Sequence, residues 1–467
     1  MKNKSCLTFL LLFFLVLGCT RDKLSVPKPS VHTLGNGMTV FILEDSSLPT
    51  FRMFGYFPAG SVFEGPDEIG LASLTAQLIR TGGTQSLSPQ QVDEAISNAS
   101  AAIELGAGDD EATVALQVLA SDRRSLLALL ADLLIHPRFD PMAFEIARRQ
   151  ALVALTRAKE KPAGLAALYF PGTLYGRTSP WAVIPTIENL NALTAEGAQQ
   201  FYTRNYRPDR MILAVSGDFK TPEMVAELEE TVGQWQLPAG ESVRWPKVEE
   251  QPPRAVFVPK PAEQVAVRMG HLGAKRDNPD KFALIVANFI LGGSGSMTSR
   301  LGAEIRANQG QAYSVWSRFG FDRVPGIFEM VASTESSQLE SVVNSMRSIL
   351  ANMREEGVRE DEVKDAKTAI LRSLLFDYES RYAIAKDWAR FESWGYPRNY
   401  LATFAKEIGK VDVDDVNRVL VEYFHPDQLS YMVVGPRWLS TQVQKNWPAL
   451  QIVSESQLDG ATEKTEE

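Results

Sequence analysis

Leu193-Thr-Ala-Glu-Gly-Ala-Gln-Gln-Phe-Tyr-Thr-Arg-Asn-Tyr-Arg-Pro-Asp209 and Val411-Asp-Val-Asp-Asp-Val-Asn-Arg-Val-Leu-Val-Glu-Tyr-Phe-His-Pro-Asp427 are two versions of one segment. Each opens on a helix cap, Thr194 or Asp412, runs as an amphipathic helix and closes on aromatic-x-Pro-Asp. An apolar strand follows in both: Met211 to Val215 before Gly217, and Tyr431 to Val434 before Gly435. Pro208 and Pro426 are 218 apart, as are Gly217 and Gly435, and Phe139 and Phe144 align with Val358 and Val363 at 219. A register held this closely over so long a stretch marks a duplication. Strands and helices mix within each copy, so the fold class is α+β, two tandem homologous α/β-sandwich domains.

Working outward, the stretch from Leu237 to Arg254 carries Pro238, Gly240, Pro246, Pro252 and Pro253, lacks periodicity and reads as a linker. It separates an N-terminal domain, 30–236, from a C-terminal one, 255–455. Leu34-Gly-Asn-Gly-Met-Thr-Val-Phe-Ile-Leu43 reads as turn then strand. Phe51 to Phe57 and Ala112 to Leu119 alternate as strands do, and Leu126 to Ile135, before His136-Pro137, reads as a buried helix. The polar, acidic end, from Ser454 onward and in particular 456–467, is expected to be disordered.

The first eighteen residues read as a signal peptide. Lys2 and Lys4 precede the apolar run Cys6 to Leu17, too short to cross a bilayer. Val16-Leu-Gly-Cys19 is close to a lipobox, although Leu17 is bulkier than the usual residue. Cys19 is thus the expected lipidation site, 19–29 a tether, and an ordinary secretory signal the alternative. Thr20 after the cysteine, by resemblance to sorted lipoproteins, directs the chain to the periplasmic side of the bacterial outer membrane. Cys6 and Cys19 are the only cysteines, so the exported chain has no disulfide framework and no free catalytic thiol. Loss of Lys2 and Lys4 takes the net charge from −9 to −11, which argues against a nucleic-acid partner.

Gly70-Leu-Ala-Ser-Leu-Thr-Ala-Gln-Leu-Ile-Arg-Thr-Gly-Gly-Thr84 has Leu71, Leu74 and Leu78 at helical spacing and stops at Gly82-Gly83. Ser73, Ala76 and Gln77 share one face. The stretch resembles the helix bearing the inverted zinc motif H-x-x-E-H in the insulinase, pitrilysin and mitochondrial-processing-peptidase family. That chemistry needs two imidazoles to hold zinc and a carboxylate to take a proton from its water. Here the three positions are Ser73, Ala76 and Gln77. The family's third ligand, a glutamate about 77 residues on by resemblance, falls at Val153-Ala154, where neither residue binds zinc. Glu145 lies two turns earlier and reads as a solvated helix position. The four histidines, His32, His136, His271 and His425, are too dispersed in sequence to share a helix face. No catalytic zinc is expected in this chain.

In the second half, Ala287-Asn-Phe-Ile-Leu-Gly-Gly-Ser-Gly-Ser-Met-Thr-Ser-Arg-Leu-Gly-Ala-Glu-Ile-Arg306 reads helix, glycine-rich turn, helix, and Gln311-Ala-Tyr313-Ser-Val begins a strand. This resembles the family signature L-G-G…S-R-L…R-x-x-x-G-x-x-Y-S-V. The resemblance makes Arg306 and Tyr313 the pair that faces zinc across a closed chamber and donates to the substrate carbonyl. Taken singly, Arg306 also reads as a helix C-terminal cation and Tyr313 as an interface aromatic. The glycine run Gly292 to Gly295 lacks the G-K-[ST] ending of a phosphate loop.

An empty zinc half beside a retained Arg/Tyr half implies, by the resemblance, the zinc-free subunit of a heterodimeric zinc peptidase, half of a clam-shell chamber. Zinc would sit in a partner chain bearing H-x-x-E-H, and the substrate would be an unfolded peptide added as a strand along a sheet edge. The alternative is a structural or peptide-binding lipoprotein on the same fold without peptidase involvement. An enzyme with an unrelated site finds no support, because the chain has no G-x-S-x-G and no base beside Ser73.

Overall fold

The computed structural model describes residues 26–459 apart from 239–241, 294 and 448. The signal peptide, Cys19 and the stretch 460–467 lie outside the described residues. The strands are β1 (Ser30–Thr33), β2 (Thr39–Glu44), β3 (Thr50–Phe57), β4 (Ala102–Ala107), β5 (Ala112–Leu119), β6 (Ile212–Gly217), β7 (Ala255–Pro259), β8 (Gln264–Leu272), β9 (Ala274–Lys275), β10 (Ala312–Phe319), β11 (Phe321–Asp322), β12 (Ile327–Glu335), β13 (Ser430–Gly435) and β14 (Leu450–Ile452). One six-stranded sheet runs β1-β2-β6-β3-β5-β4, another runs β10-β12-β8-β13-β7-β14, and β9 and β11 form a short parallel pair. Read backwards, the second order repeats the first: β7 answers β2, β13 answers β6, β8 answers β3, β12 answers β5 and β10 answers β4. The outermost strands on the other side differ. β1 enters from the N-terminal side antiparallel to β2, whereas β14 comes from the C-terminal side and runs parallel to β7.

The helices repeat with the register seen in sequence. Ala195–Asn205 answers Val413–Tyr423 at 218, and Pro141–Glu160 answers Glu360–Asp377 at 219. Thr194 accepts from the Gly197 amide at 3.1 Å and Asp412 from the Asp415 amide at 2.9 Å, so the two caps are one device with different chemistry.

Both sheets are buried on both faces, and the second face is covered by exchange. On β2, Val40 and Ile42 point into a core with Leu71, Leu74, Leu78 and Phe201, while Phe41 and Leu43 point the other way. What meets Phe41 and Leu43 is Ile384, Ala385, Trp388 and Ala389 of the Arg381–Ser393 helix, from the second half of the chain. Reciprocally, the Pro162–Tyr175 helix of the first half lays Leu165, Ala166 and Phe170 on Val256, Val258, Met432 and Val434 of the second sheet. The two helices start 219 apart, so the duplicated unit swaps the same helix in each direction. Each large apolar side chain buried there contributes about 1.5–3 kcal/mol, which joins the halves as firmly as a core.

Polar contacts along the seam complete the joint. Asp110 accepts from Arg323 at 3.0 Å and Arg276 at 3.4 Å, and Arg323 stacks over Trp245 of the linker at 3.9 Å. The acidic end departs from its expected disorder. Ser454 caps the short helix Glu455–Leu458, Leu458 is buried, and Asp459 accepts from Lys159 at 2.8 Å and from the Tyr169 hydroxyl. Local composition misses this because the order comes from partners about 300 residues away in sequence.

Candidate functional site

The Leu71–Thr81 helix has Leu71, Leu74, Leu78 and Ile79 in the core, and its N-terminus is held by a side chain rather than a capping residue. Glu64 accepts from the Gly70 amide at 2.9 Å and the Ala72 amide at 2.7 Å, a carboxylate placed where the helix dipole favours it. Burial nonetheless pushes the Glu64 carboxyl up to about 7, against the pull of those two amides. Gly70 sits at φ 97°, a left-handed conformation in which a Cβ would also meet Leu190 Cδ2 at 2.8 Å.

On the face that would carry a metal, Ser73 is exposed, Gln77 is half-buried and Ala76 is 1% exposed. Gln77 Nε2 donates to Gln150 Oε1 at 2.5 Å, joining this helix to Pro141–Glu160. Two neutral amides thus meet at Gln77, the position at which the motif has its second imidazole. Counting along the sequence points to Val153-Ala154 as the facing position, but the side chain that reaches Gln77 is Gln150, one turn earlier. Val153 and Ala154 are both exposed. Glu145 pairs with Arg148 at 2.5 Å on its own helix.

The structure brings His271 and His425 together, their rings 5.3 Å apart, although 154 residues separate them. His271 is buried and has both nitrogens in use: Nδ1 lies 2.9 Å from the Leu272 carbonyl, and Nε2 accepts from the His425 amide at 3.1 Å. Burial lowers its pKa to about 4, so the ring is neutral and structural. His136 bonds Asp132 and His32 lies near Ser30. Among the described residues no group of three or more His, Cys, Asp or Glu could hold a metal ion.

The second-half elements are built around one tight crossing. Lys281–Asn288 is α-helical and continues as a π-turn, Phe289–Gly293, and Gly302–Asn308 is also π-helical. Such turns widen the helix and concentrate at functional sites. At Gly302 a Cβ would lie 2.1 Å from the Ser296 carbonyl oxygen, so this position admits no side chain. The preceding Ser-Arg-Leu is structural: Ser299 accepts from the Gly302 amide, Arg300 pairs with Glu362 at 2.8 Å, and Leu301 is in the core.

Arg306 projects from the widened turn, exposed and without a hydrogen bond or ion pair to any described residue. Tyr313 stands in a β-bulge: Ala312 pairs with Thr334 and Ser314 with Ser333, leaving Tyr313 without a partner in the ladder. It is 54% exposed, and its hydroxyl donates to Glu335 at 3.1 Å. That carboxylate raises the tyrosine pKa, so the phenol keeps its proton for donation. No feature near Tyr313 in sequence signals Glu335. β10, which carries Tyr313, is an edge strand of its sheet. The corresponding edge, β4, lies beside the Leu71–Thr81 helix, with Arg80 Nε donating to the Ile103 carbonyl at 2.9 Å. Arg306 and Tyr313 belong to the second half and Ser73, Ala76 and Gln77 to the first. No hydrogen bond joins the two sets among the described residues.

Two profiles match the chain: one described as "Insulinase (Peptidase family M16)" over residues 41–176, and one described as "Peptidase M16 inactive domain" over residues 192–370. Among curated relatives, the "Non-peptidase homolog YmxG" of Helicobacter pylori is 24% identical, covering 84% of this chain and 90% of its own. The "Uncharacterized zinc protease YmxG" of Bacillus subtilis is 21% identical over 85% of this chain and 96% of its own. The "Probable mitochondrial-processing peptidase subunit beta" of Arabidopsis thaliana is 24% identical over 90% and 81%. A crystal structure described as a peptidase M16 inactive domain from Pseudomonas fluorescens superposes with a TM-score of 0.79 at 23% identity, covering 88% of this chain and 98% of that one. At that identity it attests the fold.

Proposed function

The chain belongs to the insulinase family of peptidases, and from that premise we propose that it is an inactive member, the zinc-free subunit of a two-chain zinc peptidase. The observation that carries this reading is the contrast between the two faces. Neutral amides, Gln77 and Gln150, bond each other on the zinc side, while on the other Arg306 is exposed and has no partner among the described residues, and Tyr313 stands in a bulge.

In this reading the partner subunit, bearing H-x-x-E-H, holds the metal, whose role there is to activate water. This chain supplies hydrogen-bond donors. The guanidinium of Arg306 and the protonated phenol of Tyr313 bind the substrate carbonyl and stabilise the negative charge that develops on its oxygen. Fixed donors aimed at a developing oxyanion need no reorganisation during the step. Glu335 holds the phenol in place until the carbonyl competes for its proton. The peptide, unfolded, adds as a strand along an open sheet edge, taking affinity from main-chain hydrogen bonds. The proposal extends to place: a lipid on Cys19 would tether the assembly to the periplasmic side of the outer membrane.

The test is peptide hydrolysis by the purified chain alone and mixed with an H-x-x-E-H family partner, with zinc measured on each. Activity is expected only in the mixture, with metal only on the partner. Arg306→Ala in the complex should lower turnover by about 10². Hydrolysis by this chain alone, or a complex indifferent to Arg306→Ala, would overturn the assignment. If no complex forms, the family fold serves instead as a peptide-binding or structural lipoprotein.

A further inference from the structure

A cavity lies on the seam between the halves, away from Arg306, Tyr313 and the Gln77 face. The Pro162–Tyr175 helix, the second sheet and the C-terminal segment Val453 to Asp459 enclose a cavity of about 530 Å³. That lies within the usual range for small-molecule sites. Its floor is apolar: Val256 and Met432 from the sheet, Leu458 from the C-terminal segment, and Ile184 from the first half. A neighbouring cavity of about 510 Å³ shares Arg177, Thr178 and Arg254 with it and adds Lys247 and Glu249. The two adjoin at those three residues and are read together as one groove, the first cavity lined mainly by apolar side chains and the second mainly by polar ones.

The charge at the polar end is distinctive. Arg177, Arg254 and Lys247 have no ion pair with any described residue, in a chain whose net charge is −9. Arg177 spends its guanidinium on the carbonyls of Gln457 and Leu458, which leave its charge uncompensated. Arg254 donates to the neutral Gln251 amide at 3.3 Å. The carboxylate in the inner wall, Asp459, is already engaged by Lys159 and Tyr169, leaving Glu249 as the acidic group at the mouth. Three cations against one carboxylate, above an apolar floor, is the arrangement that recognises an amphiphile with a negative head. We propose that this seam groove binds a single-chain amphiphile, its apolar chain against Ile184, Val256 and Leu458 and its anionic head at Arg254 and Lys247.

The experiment is calorimetric titration of the purified chain, in detergent-free buffer and below micellar concentrations. The probes are dodecanoate, dodecyl phosphate, dodecanol and dodecyltrimethylammonium. The two anionic probes are expected to bind at least about tenfold more tightly than the cationic one, the difference a charge-assisted contact supplies. Their ratio tells a carboxylate ligand from a phosphate ligand. Arg254→Gln should cut anionic binding about tenfold and leave dodecanol unchanged. Gly172→Leu fills the cavity. Gly172 lines it, and an added Cβ there meets only Arg177, at 3.4 Å and beyond. Leucine also favours the helix, so the variant keeps its fold, which its melting temperature checks. It should abolish binding of all four probes. Equal affinity for the cationic probe, or unchanged binding by folded Gly172→Leu, overturns the proposal. So does tighter binding of a peptide ending in a leucine carboxylate.

Discussion

Asp459→Ala tests whether the C-terminal segment is a structural part of the joint. Lys159 is 7% exposed at the end of the Pro141–Glu160 helix, and its ammonium donates to both Asp459 oxygens at 2.8 Å. It also lies 5.5 Å from the centre of the Tyr169 ring. Removing the carboxylate strands a buried cation. Breaking a fully buried pair costs about 3–5 kcal/mol. The Asp459 side chain keeps 29% exposure, so water partly compensates, and about 2–3 kcal/mol is the expected loss. For units of roughly 200 residues that lowers the melting temperature by about 4–12 °C. Scanning calorimetry reads the shift, and limited proteolysis reads release of the segment after Val453. Lys159→Met added to Asp459→Ala should restore most of the loss, since it removes the stranded charge and keeps the methylene packing. A loss below about 0.5 kcal/mol, or no rescue by Lys159→Met, would refute the reasoning and leave Leu458 burial as the anchor.

Three further outcomes are expected. Tetrahedral zinc with bonds near 2.1 Å separates its donor atoms by about 3.4 Å, a spacing the Gln77–Gln150 contact of 2.5 Å shows the two side chains can share. Ser73→His/Gln77→His/Gln150→Glu should therefore bind zinc about 100-fold more tightly than the same pair of histidines with Ala154→Glu, measured by chelator competition; the reverse order would place the facing position at Ala154. Burial and the neighbouring Asp110 push the Glu111 carboxyl up to about 7. Its folded pKa is above the unfolded one, so its contribution is present below about pH 4.5 and lost as pH rises through 7, by up to about 1.4 kcal/mol per pH unit. Glu111→Gln should flatten that window in urea titrations, and an unchanged profile would show that the carboxyl is already solvated. Tyr313→Phe in the two-chain complex should lower kcat by about 10²-fold with little change in KM, because its donor acts on the developing charge rather than on bound substrate; a KM effect alone would make it a binding group.

What the sequence determined by itself is the repeat and the chemistry it lacks. Periodicity near 3.6 and near 2, cap residues and the 218-residue register are local quantities. They placed the α+β duplication, the Leu71–Thr81 helix, β5 at its own limits, and Ser73, Ala76 and Gln77 on one turn. The substitutions at those positions are legible because the chemistry of a side chain is written in its identity. Position across the fold is not. The pairing of Gln77 with Gln150 depends on how two helices cross, which a count along the chain does not give. Glu335 meets Tyr313 because β10 and β12 lie side by side with a bulge between Ala312 and Ser314. The exchange of Pro162–Tyr175 and Arg381–Ser393 between sheets, the meeting of His271 with His425, and the order of the acidic end all join residues from 86 to about 340 apart in sequence. Apolar patterning says that a face must be covered; only the tertiary structure decides what covers it, because burial is indifferent to where along the chain the covering residues come from.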